Sequence, residues 1–252
     1  MNRFEEIYNE AKADKWFRRF AVFCRVFLAV TFLIAGYVKV IGERFAEGLP
    51  FNNPLGHYFY ALHETSYYYT FIGIGQIAAA ILLLIPRTAL LGALMYFPIM
   101  INIVVLTYAT RFAGTRAVTF ALLANLFLLV WEYERLKYVF LLIWDKTYLK
   151  QILPFAQART EAPVITKPLR WRLRAIFFGG SFALLAFIIF GTFYLFEIGP
   201  GNSEEECRNQ CAGSKNPAAC QDFCDCIYKQ GQPLDSCLAK YDKTTISKTD
   251  AK

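Results

Sequence analysis

Histidines and charged residues are scarce in this sequence of 252 residues, and their scarcity excludes several classes of membrane enzyme. A b-type haem held within a membrane needs two axial histidines at membrane depth, whereas the two histidines present, His57 and His63, lie between apolar runs. No glycine-rich phosphate loop, zinc-binding signature or serine-nucleophile elbow occurs. We therefore expect no tightly bound cofactor and no metal site, with a quinone as the one cofactor that could bind reversibly.

Apolar residues dominate the composition. Hydrophobic residues make up 56% of the chain and aromatic residues 17%, while charged residues amount to 19%. A soluble domain of this size needs a smaller apolar share, so the composition predicts an integral membrane protein. The net charge of +7 does not indicate nucleic-acid binding, because the basic residues flank the apolar runs, where anionic lipid attracts them.

Five apolar runs are candidates to cross a bilayer, whose hydrocarbon core takes about 20 helical residues. Two of them, residues 89–109 and 175–196, contain no charged residue. Another has Arg25 near one end and Lys39 near the other, from which long side chains can reach the lipid headgroups. The remaining two are shorter and are flanked by tyrosine and tryptophan, as is typical of membrane interfaces. We predict spans at about residues 20–41, 68–86, 89–109, 117–133 and 175–197.

Lysine and arginine are distributed unevenly between alternate loops, and loops rich in them tend to stay in the cytoplasm. With a cytoplasmic N-terminus, the inner segments hold fifteen of these residues and the outer loops three, namely Arg44, Arg111 and Arg116. Five spans then place the C-terminal tail outside, together with six of the seven cysteines. Disulfides persist in oxidising compartments, so we expect a bacterial inner-membrane protein with a cytoplasmic N-terminus and a periplasmic C-terminus.

These observations divide the chain into five parts and predict an all-α fold, a polytopic membrane helix bundle with a small disulfide-rich helical module. The parts are a cytoplasmic amphipathic N-terminus (1–19), a four-helix membrane unit (20–137), a cytoplasmic interfacial helix and linker (138–174), an added transmembrane helix (175–197) and an extracytoplasmic cysteine-rich module (198–252). Between the first two spans, a proline-containing loop is predicted to form an interfacial cap with a short helix that carries both histidines.

Six cysteines of the tail occur in a paired pattern. Two pairs have members four residues apart, so each pair lies on one face of a helix. Ser203 and Asn216 are typical first residues of the two helices concerned. Antiparallel packing of these helices favours nested bridges, although six cysteines allow fifteen pairings. The favoured bridges are Cys207–Cys224, Cys211–Cys220 and Cys226–Cys237.

The simplest explanation of these cysteines is a module too small to build a sufficient core, which disulfides hold together instead. Two alternatives remain open. One is a thiol relay through Cys224 and Cys226, since a bridge between such near neighbours would be easily reduced. The other is metal capture by thiolates, for which neighbouring histidines would have been stronger support. Cys24, within the first span, is most simply a packed small hydrophobic residue.

Polar residues within or beside the spans are candidates for ligand binding, because each is costly in hydrocarbon. Gln76, Asn102 and Asn125 are expected to face the bundle, where hydrogen bonding between helices is the simpler explanation and a ligand role the alternative. Positive charge on the predicted outer side indicates a site for an anionic group, such as a substrate, a quinone headgroup or a partner's carboxylates, with solvated charge as the alternative. No residue stands out as catalytic. The ligand-binding candidates are Arg25, Lys39, His57, His63, Gln76, Asn102, Arg111 and Arg116.

Short motifs of the four-helix unit carry a resemblance to a known family. The motifs are Arg25 opening the first span, FLIAGYVK at residues 32–39, the glycine-rich second span at 73–84 with Pro86-Arg87 after it, MINI at 100–103 and LLVWEY at 128–133. With these motifs, residues 20–137 resemble the DoxX-like family of small four-helix integral membrane proteins. Gln76 stands where many members of that family carry a glutamate, which argues against a proton-coupled role at this position.

The resemblance implies a membrane subunit, since DoxX-like proteins are associated with quinone-linked thiosulfate oxidation and with complexes that handle thiol or oxidative stress. The leading hypothesis is a membrane subunit of a quinone- or thiol-linked redox complex, an accessory subunit rather than a stand-alone enzyme. Its expected partners are the lipid bilayer and other membrane or periplasmic subunits, with no nucleic acid. One alternative is a non-enzymatic membrane anchor whose disulfide-stapled tail binds an envelope partner, and a second is a small-solute transporter.

Overall fold

The computed structural model describes residues 3–137, 171–195 and 198–249, and the secondary structure in these ranges is helical, with no strand. The all-α class predicted from the sequence is therefore confirmed, while most of the predicted interfacial helix and linker, residues 138–170, lies outside the described residues. The helices are α1 (Arg3–Ala13), α2 (Lys15–Val40), α3 (Pro54–His63), α4 (Tyr67–Leu84), α5 (Ala89–Ala109), α6 (Thr115–Trp131), α7 (Trp171–Leu195), α8 (Glu204–Gln210), α9 (Pro217–Tyr228) and α10 (Leu234–Thr249).

Four helices are long and apolar enough to cross a membrane, namely α2, α4, α5 and the Trp171–Thr192 part of α7. The fifth predicted span, α6, is apolar but has only 17 residues, which measure about 25 Å along the helix axis. It runs antiparallel to α5, because Thr119 Oγ1 bonds to Tyr108 Oη near one end and Asn125 Nδ2 donates to the Ala93 carbonyl further along. The protein is thus a membrane-integral helix bundle.

Helix α2 begins earlier than the apolar pattern predicted, and Asp14 explains the difference. Its carboxylate accepts hydrogen bonds from the backbone N–H groups of Trp16 (2.8 Å) and Phe17 (3.3 Å), which satisfies two donors that a helix start otherwise leaves unpaired. Asp14 is 6% exposed and also forms an ion pair with Arg174 of α7. We call this end of the bundle the Asp14 end, and the opposite end, where α2 stops after Lys39 and Val40, the Lys39 end.

Helices α2 and α4 pack in close backbone contact. A β-carbon added to Gly36 would lie 2.7 Å from the Gly73 carbonyl oxygen, and one added to Gly73 would lie 2.8 Å from the β-carbon of Lys39. The absence of side chains at these two positions therefore lets the backbones approach directly. Together with α5 and α6, these helices enclose a core that includes Leu28 and Tyr96.

Helix α7 lies beside this bundle and contacts it near its two ends. At the Asp14 end, the Phe177 ring packs against Phe17 (4.8 Å between ring centroids) and Phe127 (5.6 Å). At the Lys39 end, Thr192 is buried, whereas residues 178–185 between these contacts are exposed. The exposed middle of α7 consists of apolar and small residues, so in a bilayer it contacts lipid.

The C-terminal module consists of α8, a 3₁₀ turn at Cys211–Gly213, α9 and α10, held together by three disulfides. The bridges are Cys207–Cys224, Cys211–Cys220 and Cys226–Cys237, with Cα–Cα distances of 5.9, 5.4 and 5.8 Å. The pairing predicted from the helical spacing is confirmed. Ser203 and Asn216 cap α8 and α9 as predicted, accepting from Glu206 N and Ala219 N.

Candidate functional site

The disulfides decide between the three explanations of the cysteines. Cys224 and Cys226 are bonded to different partners rather than to each other, and every cysteine of the module is at most 4% exposed. The approach of Cys211, Cys220 and Cys224 to one another follows from two neighbouring bridges, so it leaves no thiolate for a metal. The module is a stapled scaffold, and the described cysteine outside it, Cys24, is a buried free thiol.

Asn102 is placed differently from the prediction. Its side chain is exposed on α5, on the outer surface of the described bundle, whereas Tyr96 and Met100 of the same helix are buried. Asn102 follows Met100 by two residues, which is a rotation of about 200° on an α-helix, so it points away from the core. The expectation that it faces the bundle was wrong.

Gln76 and Asn125 do face the interior, and each leaves an oxygen atom unsatisfied. Asn125 is fully buried, and its amide donates to the Ala93 carbonyl at 3.2 Å, which confirms a hydrogen bond between helices for this residue. Asn125 Oδ1 and Gln76 Oε1 are both buried without a partner in the described structure. An unpaired buried polar atom costs about 1–3 kcal/mol, so these two carboxamides mark positions where a hydrogen-bonding partner is missing.

Lys39 is the most deeply buried of the basic candidates, with 4% of its surface exposed. Its ammonium donates to the Ala35 carbonyl at 3.0 Å and lies 4.0 Å from the ring centroid of Phe45 and 5.8 Å from that of Tyr69. The loop that brings Phe45 over the ammonium is fixed by Tyr69, whose hydroxyl accepts from Phe45 N (2.7 Å) and donates to the Glu43 carbonyl (2.8 Å).

The two histidines lie on the predicted short helix, α3, but in different surroundings. His63 is half-buried, with Nε2 2.9 Å from the Gly42 carbonyl oxygen and its ring centroid 5.3 Å from that of Tyr69. It therefore lies beside the aromatic ring that also contacts the Lys39 ammonium. His57 is exposed and packs against Phe51 at 4.8 Å between ring centroids. Arg25 is half-buried on the part of α2 nearer the Asp14 end, away from both histidines.

Arg111 and Arg116 belong to a separate cleft at the Lys39 end. Arg111 donates to the Ile198 carbonyl at 3.1 Å, and Arg116 donates to Thr192 Oγ1 at 3.1 Å. The cleft has a volume of about 400 Å³ and separates the α5–α6 loop from the end of α7 and the start of the module. Its other lining groups include Phe112, Thr115, the backbone of residues 199–201, Glu206 and Gln210.

Two asparagines that the sequence reasoning did not single out attach the module to the bundle. Asn53 is 2% exposed, and its Nδ2 donates to the Gly201 carbonyl (2.6 Å) and to Tyr228 Oη (3.2 Å). Its Oδ1 accepts from the N–H groups of Leu55 and Gly56, which caps α3. Asn52 adds a bond to the Tyr228 carbonyl at 2.6 Å. The Asn53-Pro54 dipeptide could have revealed the helix cap, but no local pattern reports a partner 148 residues away.

The attachment also shapes the chemistry of Tyr228. Burial raises the pKa of its phenol above the ordinary value, and the hydrogen bond from Asn53 acts in the opposite direction. The neutral phenol donates to the Gly201 carbonyl at 2.5 Å, a bond that the phenolate could not make. The protonated phenol thus joins α9 to the start of the module and holds the Gly201 carbonyl, which also accepts from Asn53.

Comparison with known proteins gives one informative relative. No protein-family model matches the chain, and no solved structure matches it. The uncharacterized protein YwoB of Bacillus subtilis (strain 168) is 36% identical over 116 residues, which are 44% of this chain and 75% of YwoB. Such identity over three quarters of a protein indicates common descent, and the chain therefore belongs to the same family as YwoB.

Proposed function

We propose that this chain is a membrane subunit of a quinone- or thiol-linked redox complex and that it holds no tightly bound cofactor of its own. The DoxX-like motifs of residues 20–137 support this role. The observation that carries the proposal is the cleft beside Arg111 and Arg116, where the ends of the membrane helices meet a disulfide-bonded module. A partner subunit would supply the electron carrier, and the cleft would hold the headgroup of a quinone.

The groups around the cleft suit a polar headgroup of low charge. Two guanidinium groups and the Gln210 amide carry N–H groups that can donate to carbonyl oxygens, while Glu206 offsets part of the positive charge. A volume of about 400 Å³ lies in the range of small-molecule sites. A quinone ring fits these conditions, and its apolar tail would run along the exposed middle of α7.

The location that accompanies this proposal is the bacterial inner membrane, with the Asp14 end in the cytoplasm and the module in the periplasm. Two observations support it. Lysine and arginine are concentrated in the segments on the Asp14 side, and the disulfides at the Lys39 end require an oxidising compartment.

Purification of the native complex in a mild detergent, followed by mass spectrometry, tests the redox role. We expect wild-type protein to retain quinone or an oxidoreductase, and the double variant Arg111→Gln/Arg116→Gln to lose quinone while remaining folded. Arg87→Gln, an exposed arginine at the Asp14 end, is the matched control and should behave as wild type. Wild-type protein that carries neither quinone nor an oxidoreductase would refute the proposal.

A second function, a non-enzymatic anchor for an envelope partner, is favoured by the inaccessibility of the disulfide sulfurs. Since every cysteine of the module is buried, its bridges serve its shape rather than thiol exchange at its surface. In this case deletion of residues 201–252 should abolish capture of the partner while the bundle stays folded. Capture that survives the deletion would remove this function.

A further inference from the structure

Lys39 is a basic side chain inside the bundle with incomplete partners. Its ammonium has three N–H donors, yet it makes one hydrogen bond, to the Ala35 carbonyl, and its other contacts are the faces of Phe45 and Tyr69. No carboxylate in the described part of the chain lies within ion-pair distance of it. Buried charges in proteins are normally paired, so this ammonium lacks an anionic neighbour.

Gln76 lies at about the same level of the bundle as the Ala35 carbonyl to which Lys39 donates. Gly36 sits between Gly73 and Ile77 of α4, which places the Ala35 carbonyl level with Gln76. The Lys39 ammonium turns back along α2 to that carbonyl. Lys39 and Gln76 are both buried, so both point into the bundle rather than towards lipid.

The carboxamide of Gln76 provides the second independent sign of a missing group. Its side chain is 2% exposed, its oxygen is buried, and it makes no hydrogen bond within the described residues. A carboxamide offers two N–H donors and one acceptor oxygen, and which end points to a given neighbour can be exchanged by a half turn. A buried ammonium and a buried unpaired amide at one level thus have the donors to hold one small acceptor-rich group.

We propose that Lys39 and Gln76 form a binding site for a small monovalent anion, either a short carboxylate or an inorganic monoanion, within the bundle at the α2–α4 contact. The charge balance sets the valency, because Lys39 is the basic group of the site and a divalent anion would leave one buried charge unpaired. Arg44, in the loop after α2, donates instead to the carbonyls of Glu47 and Leu49. This site stands independently of the redox function proposed above.

The loop after α2 closes the site towards the Lys39 end. Phe45 covers the ammonium, and the two hydrogen bonds of the Tyr69 hydroxyl hold its backbone in place. An occupant would therefore be shielded from bulk water, which strengthens its attraction to Lys39. The shielding also limits its size, so formate or nitrate should fit and gluconate should not.

Thermal unfolding of the purified full-length protein in detergent tests the site. The melting temperature is recorded with increasing sodium formate or sodium nitrate, with sodium gluconate keeping the ionic strength constant. We expect a saturable rise for wild type, because a ligand that binds only the folded state stabilises it. Lys39→Met should abolish the rise, and Arg87→Met, which removes an exposed charge at the Asp14 end, should preserve it.

A second variant keeps the test decisive if Lys39→Met fails to fold. Gln76→Leu should fold and should require about tenfold more anion for half of the rise, which is the effect of losing one hydrogen bond. The proposal is overturned if wild type shows no saturable rise or if Lys39→Met shows the same rise as wild type. If Lys39→Met does not fold, an unchanged half-saturation concentration in Gln76→Leu overturns the proposal as well.

Discussion

Asn53 performs two tasks with the two ends of one amide group, and substitution can separate them. Asn53→Asp keeps an oxygen that accepts from the N–H groups of Leu55 and Gly56, and a negative charge is favourable at this helix start. It removes the N–H donors that bond to Gly201 and Tyr228 of the tail. We therefore expect α3 to remain intact while the module detaches more often from the bundle.

The size of the effect follows from the burial of the site. Asn53 is 2% exposed, so the aspartate places a buried carboxylate against the Gly201 carbonyl, which keeps the Tyr228 hydroxyl as a donor. Loss of one partner of a buried hydrogen bond costs about 1–3 kcal/mol. A docking free energy reduced by about 2 kcal/mol increases the detached population about 30-fold, since 1.4 kcal/mol corresponds to a factor of ten. Asn53→Ala should in addition lower the stability of α3 by about 1 kcal/mol, because it also removes the helix cap.

Amide hydrogen exchange of the detergent-solubilised protein, read by mass spectrometry, measures this detachment. In Asn53→Asp, peptides covering residues 199–203 and 226–231 should exchange faster, while peptides of α3 should not. Asn216→Asp is the matched control, because Asn216 caps α9 within the module and its cap bond goes to Ala219. Unchanged exchange at residues 199–203 in Asn53→Asp would refute the idea that this amide holds the module on the bundle.

Three further predictions concern packing, ion pairing and pH. Gly73→Ala should lower the free energy of unfolding by about 1–3 kcal/mol, because its β-carbon would meet Lys39 and the α2 backbone. Gly75→Ala is the control and should be neutral or stabilising, because a β-carbon there meets no other atom, and thermal unfolding compares the two variants. Asp14→Asn should lower the free energy of unfolding by about 1 kcal/mol or less, because Arg174, its ion-pair partner, is 36% exposed. Asp14→Ala should lower it by about 1 kcal/mol more, because it also removes the helix cap, and urea unfolding measures both values. Tyr228 has a raised pKa, so its hydrogen bond to the Gly201 carbonyl is complete below the ordinary value near 10 and is lost as pH rises through the folded-state pKa. A fluorescence pair on residue 202 and α9 should therefore report separation of the module's first residues from α9 above pH 10 in wild type, and a pH-independent signal in Tyr228→Phe.

Features set by local spacing were predictable from the sequence. Cysteines four residues apart on two helices determine which side chains face each other, so the two nested bridges followed from helix geometry, and the third joins the two cysteines of the module that remain. The apolar runs gave the membrane helices because hydrocarbon excludes charge over a fixed length. The start of α2 differs from the prediction for the same reason, since the apolar run begins after charged residues, whereas the Asp14 cap starts the helix before them.

Features that depend on distant parts of the chain could not be read in this way. Arg111 and Arg116 were recognised as unusual outer charges, but their partners, Ile198 and Thr192, lie 87 and 76 residues away. Asn102 was assigned to the interior from its polarity alone, although its angular position on α5 places it outside. Polarity indicates that a residue in a span needs an explanation, while only packing reveals which way it points.

The two-ended attachment of α7 has a consequence for the bilayer in which the protein resides. Arg174 is tied to Asp14 at one end and Thr192 to Arg116 at the other. Arg174 and Thr192 are 18 positions apart in the sequence, which corresponds to about 27 Å of helix. A helix fixed at both ends cannot tilt or slide to match a thicker membrane, so hydrophobic mismatch must be absorbed by the lipid or by breaking one tie. We therefore expect this protein to be most stable in a bilayer whose hydrocarbon thickness is close to that length.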